Sequence, residues 1–117
     1  MFRIWNKVDK KWEVEDFHLI GEVMLLQGFP LEQLNNLEIN QYTGVKDKNG
    51  VEIYEGDILI CSGDEYVSVK WNESQARFVI VRKKFDDKEL GLTRPSAKYN
   101  NYRVISNIYE HPELLNL

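Results

Sequence analysis

Residues Gln41–Leu59 read QYTGVKDKNGVEIYEGDIL, and the way this stretch punctuates itself decides the fold. Nineteen positions hold three glycines, four carboxylates and two tyrosines. Asn49-Gly50 is a strong short-range hairpin signal, and it predicts a type I′ turn with positive φ at both central residues. Asp47, just upstream, is placed to bond the turn backbone through its carboxylate. Residues 41–46 and 51–54 are therefore expected as two neighbouring extended segments. Glu55-Gly56-Asp57 reads as a second turn, with Gly56 free to adopt angles closed to other residues. Ile58-Leu59-Ile60-Cys61 follows as a continuous apolar run, the mark of a strand buried on both faces.

Downstream the period of two continues. Ser62–Glu65 turns the chain, Tyr66–Trp71 alternates, Asn72–Ala76 turns it again, and Phe78–Val81 and Tyr102–Ile105 read as strands. Between the last two, residues 83–100 lose the alternation and carry Gly91 and Pro95, which predicts a long loop. The end of the chain reads as a strand from Asn107, then a helical turn opened by Pro112, with Leu114 and Leu115 docking on the barrel and His111 as its cap. Upstream, Phe2, Ile4, Trp12 and Val14 are the expected inward face of a hairpin, and residues 19–26 a further strand. Leu31, Leu34 and Leu37 recur at threes, which fits either a helical turn or a plug at one end of a β core. Short strands joined by tight polar turns predict a mainly β fold: a small, strongly bent, SH3-like barrel with an N-terminal hairpin extension and short helical turns. Residues 1–117 are expected as one domain, with 1–40 the hairpin and extension and 41–117 the barrel core.

The 117 residues contain a single cysteine, Cys61, so no internal disulfide can form and a reducing compartment suits the chain. No apolar run approaches the ~20 residues of a membrane span, and the N-terminus lacks the apolar core of a secretory signal. These features predict a cytoplasmic protein with no membrane partner. The net charge of −4 is unevenly spread: residues 1–59 hold six Lys/Arg against eleven Asp/Glu, whereas residues 77–103 hold eight basic side chains against three acidic. General coating of nucleic acid is disfavoured by the acidic half, but a localised contact is not.

The four carboxylates of the central stretch (Asp47, Glu52, Glu55 and Asp57) do not have the spacing of a calcium loop, and two of them stand where turns require them. Cys61 lies inside the most apolar strand, where a thiol is inert. His18 and His111 are the only imidazoles, and there is no glycine-rich phosphate loop or zinc-spaced cluster. The sequence predicts no enzyme, no metal and no cofactor. Two surfaces remain. Tyr42, Tyr54 and Glu55 are not demanded by turn geometry and are candidates for an interaction surface; the two tyrosines fit equally well as core residues with satisfied hydroxyls. Arg82, Lys83, Lys84 and Lys98, interleaved with aromatic residues, are candidates for contact with nucleic acid.

Gln41-Tyr42-Thr43-Gly44, Lys46-Asp47-Lys48-Asn49-Gly50 and Glu52-Ile53-Tyr54-Glu55-Gly56-Asp57-Ile58 resemble, in order, the YopX family of phage and prophage proteins. Phe2-Arg3-Ile4-Trp5 is similar to the opening of that family, and Ile105–Leu115 to its ending, with Ser106 where relatives carry glycine. Residues 17–37 and 83–100 match poorly. The resemblance implies a phage-encoded, mostly β protein acting in the host cytoplasm, and it implies no reaction. The function expected is a non-enzymatic protein-interaction module whose partner is a phage or host protein or a second copy. The alternative is a small nucleic-acid-binding barrel using the basic 77–103 segment.

Overall fold

The strands predicted around the central stretch form. In the computed structural model, which describes residues 2–13 and 36–116, the chain is mainly β, with a strongly curled half-barrel sheet and few helices. It divides into two compact units, residues 1–41 and 42–117.

In the first unit, β1 (Phe2–Asn6) and β2 (Lys11–Glu13) make the expected hairpin. The Asn6 side-chain oxygen closes its turn by accepting from the backbone N–H groups of Val8 and Asp9, each at 3.0 Å. Trp5 and Trp12 face each other across the pair, ring centroids 5.0 Å apart at 67°, an edge-to-face contact. The first half of β3 (Leu37–Lys46) pairs with β1 on its other side. Ile4 and Trp5 are both buried, whereas Phe2 is 41% exposed, so Phe2 does not take the inward place expected of it. Adjacent strand residues point to opposite faces, and β1, flanked by a strand on each edge, is covered on both faces at its centre. Val14, His18, the strand expected over 19–26, and Leu31 and Leu34 lie outside the described residues.

In the second unit, the remainder of β3 pairs with β4 (Glu52–Tyr54). A five-stranded antiparallel sheet follows in the order β8-β7-β6-β5-β9, built from β5 (Asp57–Cys61), β6 (Glu65–Asn72), β7 (Arg77–Arg82), β8 (Lys88–Gly91) and β9 (Arg103–Asn107). Its registers bring Leu59 opposite Val67 and Val104, and Val69 opposite Ile80. These residues, with Val45, Ile53, Leu92, Ala97 and Tyr102, make the core. Ile58 and Leu59 are both fully buried, as the unbroken apolar run of β5 requires.

One turn differs from expectation. At 47–50 the Gly50 N–H donates to the Asp47 carbonyl (3.0 Å), so Lys48 and Asn49 are the central residues. Neither has positive φ; only Gly50 does, at 81°. This is the three-residue pattern in which a turn is followed by a left-handed glycine, not the two-residue type I′ turn.

Residues 83–100 are not a loop. A 3₁₀ turn (Lys83–Phe85) leads through Asp86 and Asp87, both left-handed, into β8, and Arg94–Tyr99 is a short helix, α1. Thr93 caps α1 by accepting from the Ser96 N–H, while the Ser96 hydroxyl accepts from the Thr93 N–H, a reciprocal box with Pro95 in the first turn. At the end of the chain Pro112 does open a turn, a 3₁₀ turn (Pro112–Leu115) that packs against β6, but β9 stops at Asn107. The His111 side chain makes no capping bond; its Nδ1 is 2.5 Å from the Ser106 hydroxyl.

Candidate functional site

Asp47 is 7% exposed, and its carboxylate is fully committed to backbone. Oδ1 accepts from the N–H groups of Asn49 (2.8 Å) and Val51 (2.9 Å), as the sequence leads one to expect. Oδ2 accepts from the N–H of Val104 (2.9 Å), on β9. Beside it, the Lys48 N–H donates to the Tyr102 carbonyl (3.0 Å). The hairpin tip is thereby fastened to the strand entering β9. On β3, a bulge between Tyr42 and Lys46 is stabilised by Thr43, whose hydroxyl donates to the Ile53 carbonyl (2.7 Å) and accepts from the Val45 N–H (3.1 Å). Gly44 sits in that bulge at φ 83°, where added atoms would meet nothing; its backbone angle, not lack of space, calls for glycine.

This arrangement borders a cleft of about 690 Å³ lined by Tyr42, Gly44, Lys46, Asp47, Lys48, Arg94, Lys98 and Asn101. Tyr42, Gly44 and Lys46 come from alternate positions of β3. Arg94 and Lys98 are four apart on α1 and share a face. Four cations thus meet one carboxylate whose oxygens are both occupied. Among the described residues, none of Lys46, Lys48, Arg94 and Lys98 has a side-chain hydrogen bond or an ion pair. Backbone hydrogen bonds do not cancel the charge of Asp47, so the lining holds four cations and one anion, and such an excess of positive charge in a concave site raises the local concentration of anions. Tyr42, half-buried, supplies an aromatic wall and is backed by Tyr54, ring centroids 5.6 Å apart at 40°.

The four basic residues singled out from the sequence do not act together here. Arg82 is held by Glu65 through two hydrogen bonds of 3.0 and 2.7 Å, and its guanidinium lies 4.0 Å from the Phe85 ring centroid. Lys83 donates to Asn116 (3.0 Å), and Lys84 is exposed in the 3₁₀ turn. Only Lys98 lines the cleft. Of the other candidates, Tyr42 lines it, Tyr54 stands against Tyr42, and Glu55 is half-buried in the turn before β5. Lys46, Lys48 and Asn101 were not among the expected site residues, and Arg94 was expected only as part of the basic 77–103 segment. Their local signals were the charges flanking Asp47 and the i, i+4 spacing of Arg94 and Lys98.

The remaining reactive groups are tied into structure. Asp57 is 1% exposed and accepts from the Tyr54 N–H (2.8 Å). Among the described residues no group of three or more His, Cys, Asp or Glu could hold a metal ion. Burial pushes the Cys61 thiol above its ordinary pKa, and Glu65 adds to the effect. Burial likewise pushes the Tyr102 phenol up to about 12.

The YopX protein family matches residues 1–116, nearly the whole chain. The chain belongs to the YopX family. This YopX-family protein is also similar in structure to protein EF1440 from Enterococcus faecalis, a crystal structure, with a TM-score of 0.68 and 24% sequence identity over 97% of this chain and 96% of that one. That likeness shows a common fold. No curated protein matches the sequence. Among the described residues, no helix is long and apolar enough to cross a membrane.

Proposed function

We propose that this YopX-family protein is a phage-encoded, non-enzymatic binding module of the host cytoplasm, and that its ligand is nucleic acid held in the basic cleft. The observation that carries this reading is the set of four cations, Lys46, Lys48, Arg94 and Lys98, that line one concavity without ion-pair partners. A phosphate backbone is the polyanion best suited to such a set, because each contact releases condensed counterions. Four contacts to a single strand give a slope of about −2.8 in log affinity against log salt, which is about 50-fold between 50 and 200 mM.

The test is fluorescence anisotropy of a labelled 20-nucleotide oligo(dT) over that salt range, with wild type and the Arg94→Glu/Lys98→Glu double variant. Binding with a slope near the expected value, abolished or strongly flattened in the variant, supports the reading. No anisotropy change at 50 mM salt overturns it. A protein partner, phage or host, or a second copy, meeting Tyr42, Tyr54 and Glu55 then becomes the reading to pursue.

A further inference from the structure

We infer that the cleft accepts unpaired nucleotides of a strand, with one base stacked on Tyr42 and the flanking phosphates taken by Lys46 and Lys48 on one wall and by Arg94 and Lys98 on the other. This rests on the nucleic-acid reading above. A double helix, wider than its major groove of about 12 Å, meets only the rim of a cleft of about 690 Å³, whereas a single unpaired base can enter it. That volume falls in the range that encloses ligands of nucleotide size.

Composition points the same way. Tyr42 is the aromatic residue of the lining, and every base offers a face on which such a ring can stack, whatever the sequence. The ring is braced by Tyr54, and its backbone is held by the pairing of Tyr42 with Tyr54 across β3 and β4, so little ordering is left to be done on binding. The cations come from two separate elements, β3 with its turn and α1, so phosphates on both sides of a stacked base can be met. The ligand is therefore a single strand recognised without base-specific hydrogen bonds, and binding tolerates changes of sequence.

The experiment compares labelled oligo(dT), a mixed-sequence strand and a duplex of the same length in anisotropy titrations at 50 mM salt, using wild type, Tyr42→Phe and Tyr42→Leu. Thermal unfolding of each variant establishes that it is folded. Single strands are expected to bind at least tenfold more tightly than the duplex. Tyr42→Phe should stay within about twofold of wild type, and Tyr42→Leu should weaken strand binding by about fivefold or more with the salt slope unchanged. A fourth arm adds free thymidine monophosphate as competitor, and no displacement is expected at concentrations that leave a strand bound. Equal affinity for strand and duplex, with no effect of Tyr42→Leu, overturns the single-strand inference while leaving the nucleic-acid reading standing. Displacement by the free nucleotide at micromolar levels makes the ligand a small molecule and overturns it too. If no nucleic acid binds at all, the reading on which it rests falls with it.

Discussion

Replacing Asp47 by asparagine separates its two structural tasks. The amide keeps one carbonyl oxygen, which can still accept from the N–H groups of Asn49 and Val51. In the place of Oδ2 it presents an NH₂ group, donor against donor, to the Val104 N–H. Val104 is half-buried and packs against the core, so its N–H cannot simply turn to water. A lost hydrogen bond to a charged acceptor is worth about 1.5–3 kcal/mol, and Asp47→Asn should cost about 2 kcal/mol. Asp47→Ala removes all three bonds. Asn49 and Val51 are exposed and recover much of their loss by hydration, about 1 kcal/mol each, giving about 4 kcal/mol in total. Against an overall stability of about 5–15 kcal/mol, both effects are large. Urea unfolding followed by tryptophan fluorescence measures them; with a slope of about 1.5 kcal/mol per molar, the asparagine midpoint falls by about 1.3 M. Hydrogen exchange at the Val104 amide should accelerate in both variants. A midpoint within 0.2 M of wild type for Asp47→Asn, with Val104 still protected, would refute the claim that this carboxylate fastens the hairpin to β9.

Two further outcomes follow from ionisable groups shifted by burial, Tyr102 fully and Cys61 partly buried. The Tyr102 phenol is raised to about 12 in the folded chain, so above pH 10 the unfolded chain loses its proton first. The stabilisation is whole below pH 10 and drains away as pH rises towards 12, by about 1.4 kcal/mol at pH 11. Urea unfolding at pH 8, 10 and 11 should show this extra decline in wild type but not in Tyr102→Phe, and identical declines would refute it. Cys61, its thiol pKa raised by burial, should react with a chromogenic disulfide at pH 8 about tenfold more slowly in the native protein than in urea; equal rates would show an accessible thiol.

The strands were legible because alternation and turn residues agree locally. Ile58–Cys61, Tyr66–Trp71 and Phe78–Val81 each lie within an observed strand, and Gly50 and Gly56 both stand at positive φ. The hairpin turn was read from the right glycine but with the wrong geometry, since Asn49-Gly50 suits more than one loop and the Asp47 bonds select among them. Residues 83–100 were misread because their elements are four and six residues long, too short for a periodic signal. The Thr93, Pro95 and Ser96 cap was the available clue. The candidate site was half legible. Tyr42 and Lys98 stood out as residue types, but that Lys46 and Lys48 share a cleft with Arg94 and Lys98 depends on long-range register that no local pattern encodes. Conversely, Arg82 looked free in the sequence only because Glu65, on the neighbouring strand, is 17 residues away.

The bond between Asp47 and Val104 joins residues 57 positions apart, and α1 lies between them in the chain. The Lys46 and Lys48 side of the cleft is thus synthesised well before the α1 side. A growing chain on the ribosome, although crowded by RNA, therefore carries the Lys46 and Lys48 wall without its counterpart. The cleft is complete only when both of its sides are, so any ligand it takes meets a folded chain.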